Sequence, residues 1–269
     1  MTAKGGRPPP ERVRRFGAGA PLWYEPAAMG FVDLHCHLLW ALDDGVETPE
    51  EAVAAARLLA SLGFTDAAPS PHASPGMPSG DEAICVARRA ELEALLRAEQ
   101  VPLQLHTNAE NKLDDAFFER LAVPTRRGIG ASQRWALVEL PFRSGVPALP
   151  ELVFRLRRRD VLPLFAHPER CQEFERAGRA AEVVRLGGGL QLNVGALTGL
   201  YGRLSRKLAE QFLEEGLYTV AATDLHRAEG AEEWVPEALE LLEKRGGDGT
   251  LERLFSINPQ HVLAGEEIP

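Results

Sequence analysis

The stretch FVDLHCHLLWALDDG, residues 31–45, holds two histidines and three aspartates in fifteen positions. His35 and His37 lie two apart within an apolar run, and Asp43 and Asp44 follow just before Gly45. Side chains two apart on a β-strand share a face, so both imidazoles can reach one cation. Cys36, between them, faces the other way and reads as a small packed residue. The spacing recurs in ATDLH, where Asp224 and His226 flank Leu225. Other donors stand in similar places: His72 in APSPHAS, Glu110 in TNAEN, Glu139 in LVELPF and His167 in FAHPER. Each has a plain reading when taken alone. A strand histidine is most often a hydrogen-bonded core residue, and Asp-Asp-Gly is most often a turn. Glu139 is odder, because a buried carboxylate without a partner is costly. As a set they are too many donors for one ion, and three ions sharing bridging carboxylates is the more natural count. Nitrogen and oxygen donors without sulfur suit manganese, iron or zinc better than a structural zinc site. His106 and His261 take the plain reading, and Asp33 shares the parity of His35 and His37, which predicts a supporting hydrogen bond to a ligand.

The elements that must position these residues alternate. FVDLHCHL, FTDAAPS, PLQLHTNAE, WALVELPF, VLPLFAH, GLQLNVG and LYTVAATD read as strands. Helical patterns fall between or after them: a helix opened by Thr48-Pro49-Glu50-Glu51 and stopped at Gly63, then DEAICVARRAELEALLRAE, LPELVFRLRRRD, roughly 174–186, RLSRKLAEQFLEEG and VPEALELLEKRG. Threonine caps, proline fits the first turn and acids suit the positive end of a helix. About seven strand–helix units, without repeat or linker, predict parallel strands joined by right-handed crossovers. The expected fold is α/β, a distorted TIM-like (β/α)7 barrel, with a doubly wound open sheet as the alternative. A barrel gathers every strand C-terminus at one mouth, which is where all these donors fall.

Composition narrows the function. A chain of 269 residues with 45% hydrophobic residues fills one large domain, expected over 29–269. The formal net charge of −9 argues against nucleic acid as a partner. No apolar run is long enough to span a bilayer, so no membrane insertion is expected. Cys36, Cys85 and Cys171 form no C-x-x-C pair and read as reduced thiols of a cytoplasmic protein. Residues 1–28, rich in Gly, Pro, Ala and Arg, read as a disordered tail without a secretory signal; Met29 is an alternative start.

DLHCHLLWALDDG, SPH, NAE, VELPF, AHPER and ATDLH, in that order, together resemble the PHP (polymerase and histidinol phosphatase) superfamily, and within it the bacterial CpsB/CapC-type tyrosine-protein phosphatases. The similarity runs over roughly residues 31 to 265. The resemblance implies a PHP-type barrel and three divalent ions, manganese first, with iron or zinc as alternatives. The implied ligands are His35, His37, Asp44, His72, Glu110, Glu139, His167, Asp224 and His226, with Glu139 bridging. It implies a phosphotyrosine protein as substrate, notably a bacterial tyrosine kinase that controls capsule and exopolysaccharide export. There are departures: Ser70 replaces the usual threonine, ASPGMPSGDEA is short, and Ala231 stands where relatives carry an arginine. Arg227, next to His226, is a candidate for a shifted phosphate contact.

The chemistry expected is in-line attack on phosphorus by a metal-bound hydroxide. Arg170 is the candidate to fork onto the phosphate, with a plain surface arginine as the alternative reading, and His72 or His226 is the candidate general acid. A phenolate leaving group, of pKa about 10, asks little of that acid. Two rivals remain open: a PHP phosphatase of small phosphomonoesters such as histidinol phosphate, and a binding module that retains the fold without catalysis. A cysteine phosphatase needs an arginine six residues after its nucleophile; Leu42, Glu91 and Ala177 occupy those places. Alkylating the thiols is therefore expected to leave hydrolysis of p-nitrophenyl phosphate intact, whereas His35→Ala abolishes it. Loss of turnover in step with alkylation would return the cysteines to the reaction.

Overall fold

The structure is a computed structural model and describes residues 30–122 and 127–268. The tail expected over 1–28 lies outside the described residues. Among these there are nine strands: β1 (Phe31–Cys36), β2 (Phe64–Pro69), β3 (His72–Ala73), β4 (Gln104–Leu105), β5 (Glu110–Lys112), β6 (Trp135–Glu139), β7 (Leu162–Ala166), β8 (Gly189–Asn193) and β9 (Val220–Ala222). Every strand pairing is parallel. The strands form a three-stranded sheet, β1-β2-β4, and a six-stranded sheet, β3-β5-β6-β7-β8-β9.

The nine strands lie on the seven expected lines, because two lines are broken. β2 and β3 are halves of one line interrupted at Ser70-Pro71; a proline has no N–H for the ladder. The third line, expected as one strand, splits into β4 and β5. Between them Asn108 leaves the ladder and its amide donates to the carbonyl of Leu34, 2.8 Å away. The ring of pairings returns to β1 beyond the end of β9. The Asp224 amide donates to the His35 carbonyl and the His37 amide to the Leu225 carbonyl, both at 2.8 Å. The result is a distorted parallel β/α barrel.

Helices form where capping predicts. Pro49–Ser61 is capped by the Thr48 side chain, which accepts from the Glu51 amide at 3.2 Å, and ends before Gly63 at φ 93°. The helix expected over roughly 174–186 is shorter. Residues 172–175 form a 3₁₀ turn and the helix is Arg179–Arg185, separated by Gly178 at φ 75°. Among the described residues, the link from β5 to β6 carries a four-residue helix, Phe117–Arg120.

Alternation sorts the barrel wall into two layers. On β6, Trp135 and Leu137 join an apolar cluster with Val32, Leu34, Leu164 and Val220, and Glu139 continues that face toward the mouth. Ala136 and Val138 pack the other way, under the helices. The seam between β1 and the β9 line is closed by Asp33, which is fully buried. Its carboxylate accepts from the Thr223 amide at 3.1 Å, the Thr223 hydroxyl and the His35 amide at 3.2 Å. The bond expected from Asp33 to a ligand is therefore to the His35 backbone rather than its ring. Burial lifts the Asp33 pKa to about 6 even against these donors.

Thr223→Val keeps the volume but strips one donor from a buried carboxylate. It is expected to destabilise the fold by about 1–3 kcal/mol, read as a lower urea midpoint at constant slope. A midpoint equal to the parent's would mean that the seam does not depend on this bond.

Candidate metal centre

Each donor is set in place by the end of a strand or the turn behind it. β1 carries His35 and His37, and their Nε2 atoms face one another at 3.3 Å. The loop after β1 brings Asp43 and Asp44. His72 opens β3, Glu110 opens β5 and Glu139 ends β6. His167 follows β7, and Asp224 and His226 follow β9. His35, His37, Glu110, Glu139, His167 and Asp224 are buried, His72 and His226 half-buried, and Asp44 exposed. Two of these residues have left-handed backbone, His167 at φ 33° and Asp224 at φ 55°. Non-glycine residues held there cost roughly 1–3 kcal/mol each, a strain concentrated where the strands hand over to the mouth.

The side chains converge. Four sets have ligand atoms within 4.8 Å of one another: His37, Asp44, His72 and His226; His35, His37 and Glu110; His35, His167 and Asp224; His72, Glu110 and Glu139. All nine ligands expected from sequence fall in these sets, with His35, His37, His72 and Glu110 each in two. His106 and His261 lie outside them and pair with Asp66 and Glu266, both at 2.7 Å.

The contacts behind the donors aim the lone pairs inward. His35 Nδ1 lies 2.9 Å from Gln191 Oε1, His37 Nδ1 2.8 Å from Asp43 Oδ2 and His226 Nδ1 2.8 Å from the Asp224 carbonyl. A proton on each Nδ1 leaves each Nε2 with a bare lone pair. The His35 and His37 lone pairs then face Glu110 Oε2 and Asp224 Oδ1, at 3.2–3.6 Å. Lone pair against carboxylate is repulsive until a cation stands between them. The proton affinities say the same. Burial works against a charged His72, yet Asp44 and Glu110 lift its pKa to about 10. Burial also opposes ionisation of Glu110, and His35 and His167 overcome it, holding the carboxyl well below its usual range. Glu139 is raised to about 7 by burial and by Glu110. Among the described residues, His167 Nδ1 is buried with no hydrogen-bond partner, as expected of an imidazole nitrogen made for a cation. This donor set fits divalent metal ions.

Arg170 sits at the rim. Its guanidinium donates to Asp224 Oδ2 at 3.0 Å and lies between Tyr201, 4.1 Å from its ring centroid, and Phe142, at 4.8 Å. Asn193 donates to the same Asp224 oxygen at 2.7 Å. Asp43, counted with Asp44 among the donors behind β1, enters no ligand set and instead supports His37. Gln191 and Asn193 escaped sequence reasoning as ordinary residues of a strand. The available signal was two amides, two apart, ending an apolar strand. Cys36 and Cys171 are buried and Cys85 half-buried, and burial pushes all three thiols up, so none is a ready nucleophile.

A parallel β/α barrel whose mouth collects five imidazoles and four carboxylates presents a candidate metal centre. The chain belongs to the CpsB/CapC family of capsular polysaccharide synthesis, whose match spans residues 31–264. It is similar to the tyrosine-protein phosphatase YwqE of Bacillus subtilis, 26% identical over 238 residues, 88% of this chain and 93% of that protein. It is also similar to the tyrosine-protein phosphatase CpsB of Streptococcus pneumoniae, 23% identical over 246 residues, 88% of this chain and all of that one. A crystal structure from work on YwqE and CpsB, described as unique metal-dependent tyrosine phosphatases, matches with a TM-score of 0.79 at 26% identity. That match covers 88% of this chain and 96% of the other.

Gln191→Leu removes the acceptor that fixes the His35 ring. It is expected to weaken metal affinity by about 10- to 100-fold, measured by competition with a chelator. Parental affinity would show that the His35 ring is held by other means.

Proposed function

We propose that this chain is a metal-dependent protein-tyrosine phosphatase. One observation carries the reading: five imidazoles and four carboxylates from six of the seven strand lines meet at one mouth, with lone pairs and anionic oxygens turned toward each other. We assign His35, His37, Asp44, His72, Glu110, Glu139, His167, Asp224 and His226 to three divalent ions, manganese in the first place, with iron or zinc as alternatives. When bound, such ions lower the pKa of water to about 7 and neutralise phosphate charge. Three ions against four carboxylates and one hydroxide leave about one positive charge, suited to a dianionic ester. Asp43, Gln191 and the Asp224 carbonyl hold three of the imidazoles in one tautomer. Asn193 and Arg170 fix the Asp224 carboxylate. The rest of the Arg170 fork, kept flat by Phe142 and Tyr201, is the cation offered to the phosphate. His72 and His226 are half-exposed at the rim, and a phenolate of pKa about 10 leaves with little help from either imidazole.

The substrate we assign is a phosphotyrosine protein, a bacterial tyrosine kinase of polysaccharide export, met in the cytoplasm. Domain boundaries at 29–269 belong to the same reading. Among the described residues no helix is long and apolar enough to cross a membrane, and Cys36, Cys85 and Cys171 are free.

The test couples metal content to turnover. Protein stripped by chelator is expected to lose hydrolysis of a phosphotyrosine peptide and to regain it with manganese, at three ions per chain by mass spectrometry. Histidinol phosphate and sugar phosphates are expected to be poorer substrates. Full activity in the stripped protein rules the reading out, and a preference for histidinol phosphate replaces it with a metabolite phosphatase.

A further inference from the structure

β5 reads Glu110-Asn111-Lys112. Alternation puts Lys112 on the Glu110 face of the strand, one step nearer the mouth. Asn111 turns away, and its amide donates to the carbonyls of Ala109, Arg127 and Leu137 at 3.0–3.1 Å. The parallel register sets Lys112 beside Glu139. Yet among the described residues no carboxylate comes within ion-pair distance of the Lys112 ammonium, and the residue is exposed. An ammonium outside any ion pair among the described residues, whose charge already acts on Glu139, thus stands above one donor and beside another.

One aromatic ring shares this part of the mouth. Lys112, Glu139, Phe142 and Arg143 line a cleft of about 510 Å³. Phe142 is 40% exposed, although its ring packs 5.3 Å from that of His167 and beneath Arg170. Its backbone is held, since its carbonyl accepts from the Gln172 amide at 3.1 Å. A large aromatic left partly open, fixed in place and touching the metal-centre residues, is a surface kept for another ring. The cleft meets the centre at Glu139, so an aryl phosphate lying in it would reach the centre with its phosphoryl end.

We propose that this cleft is the aryl-phosphate subsite, in which Phe142 stacks on the phenol ring of the substrate and Lys112 binds a non-bridging phosphate oxygen. This rests on the phosphotyrosine reading and says how that substrate is told from an alkyl ester. An alkyl phosphate meets Lys112 but gains nothing from Phe142. The two side chains therefore act on separable parts of the same molecule.

The manganese-loaded enzyme tests this with p-nitrophenyl phosphate, a phosphotyrosine peptide and an alkyl phosphate, and with inorganic phosphate as competitive inhibitor. Because Asp224 and Tyr201 still hold Arg170 in the variant, Phe142→Ala is expected to lower kcat/KM for both aryl esters by about tenfold without a matching rise in the Ki of phosphate, and Phe142→Tyr to restore it. Lys112→Met is expected to raise the Ki of phosphate by about tenfold, and Lys112→Arg to recover it. Metal content is measured on each variant. The subsite is overturned if Phe142→Ala weakens phosphate binding as much as aryl turnover, or if the variants match the parent on every constant. A parent enzyme that cleaves the alkyl ester and neither aryl ester overturns the phosphotyrosine reading as well. Efficient aryl turnover that survives Phe142→Ala overturns the subsite alone.

Discussion

Everything at the mouth of this barrel answers to one electrostatic constraint. Glu110 and Asp224 are buried carboxylates, and isolated buried charge is too costly to keep. Their oxygens meet imidazole nitrogens whose opposite sides already donate to Gln191 and Asp43. Neither the carboxylates nor the lone pairs can satisfy the other without something positive between them. Protons meet the demand in part, which is why His37 and His72 hold theirs so tightly. Divalent ions meet it more fully, because one ion answers several donors at once.

That constraint explains the cost accepted elsewhere. The barrel must close where its donors are, and it closes through the buried Asp33 and through strained backbone at Asp224. The mouth carries polar groups and left-handed residues, while the cluster around Leu34, Leu137 and Leu164 fills the interior with side chains that need no partner. Strain and unsatisfied charge are thus kept at one end, and the apolar interior and the helix layer carry the cohesion that tolerates them.

Period-two spacing made the ligands legible in the sequence. His35 with His37 and Asp224 with His226 are visible because a strand end must present alternate residues to one side. The alternation of strand and helix made the barrel visible for the same reason. What stayed hidden was contact between distant segments. Gln191 reads as an ordinary polar residue until β8 lies near β1, and Asn193 until its amide meets Asp224. The break between β4 and β5 was hidden too, since nothing local marks Asn108 as reaching back to Leu34. Lys112 was within reach, standing two residues from Glu110, but a lysine at a strand end has a plain solvated reading that only the register with Glu139 displaces.

The ions this centre calls for would also act on the fold. His35 and His226 come from opposite ends of the chain and meet only across the seam between β1 and the β9 line, and Glu110, Glu139 and His167 come from lines between. Cations held by these residues would tie six of the seven strand lines together, and ligands that bind only the folded state add stability in proportion to the logarithm of their concentration over Kd. Without the ions, the same carboxylates and lone pairs press on one another at the place where the ring is held by few backbone bonds. Metal binding at these residues would therefore couple catalysis to closure of the barrel through one set of side chains. A change that loosens the seam, at Asp33 or Thr223, reaches the chemistry by way of ligand geometry, and a change in a ligand reaches stability by way of the seam.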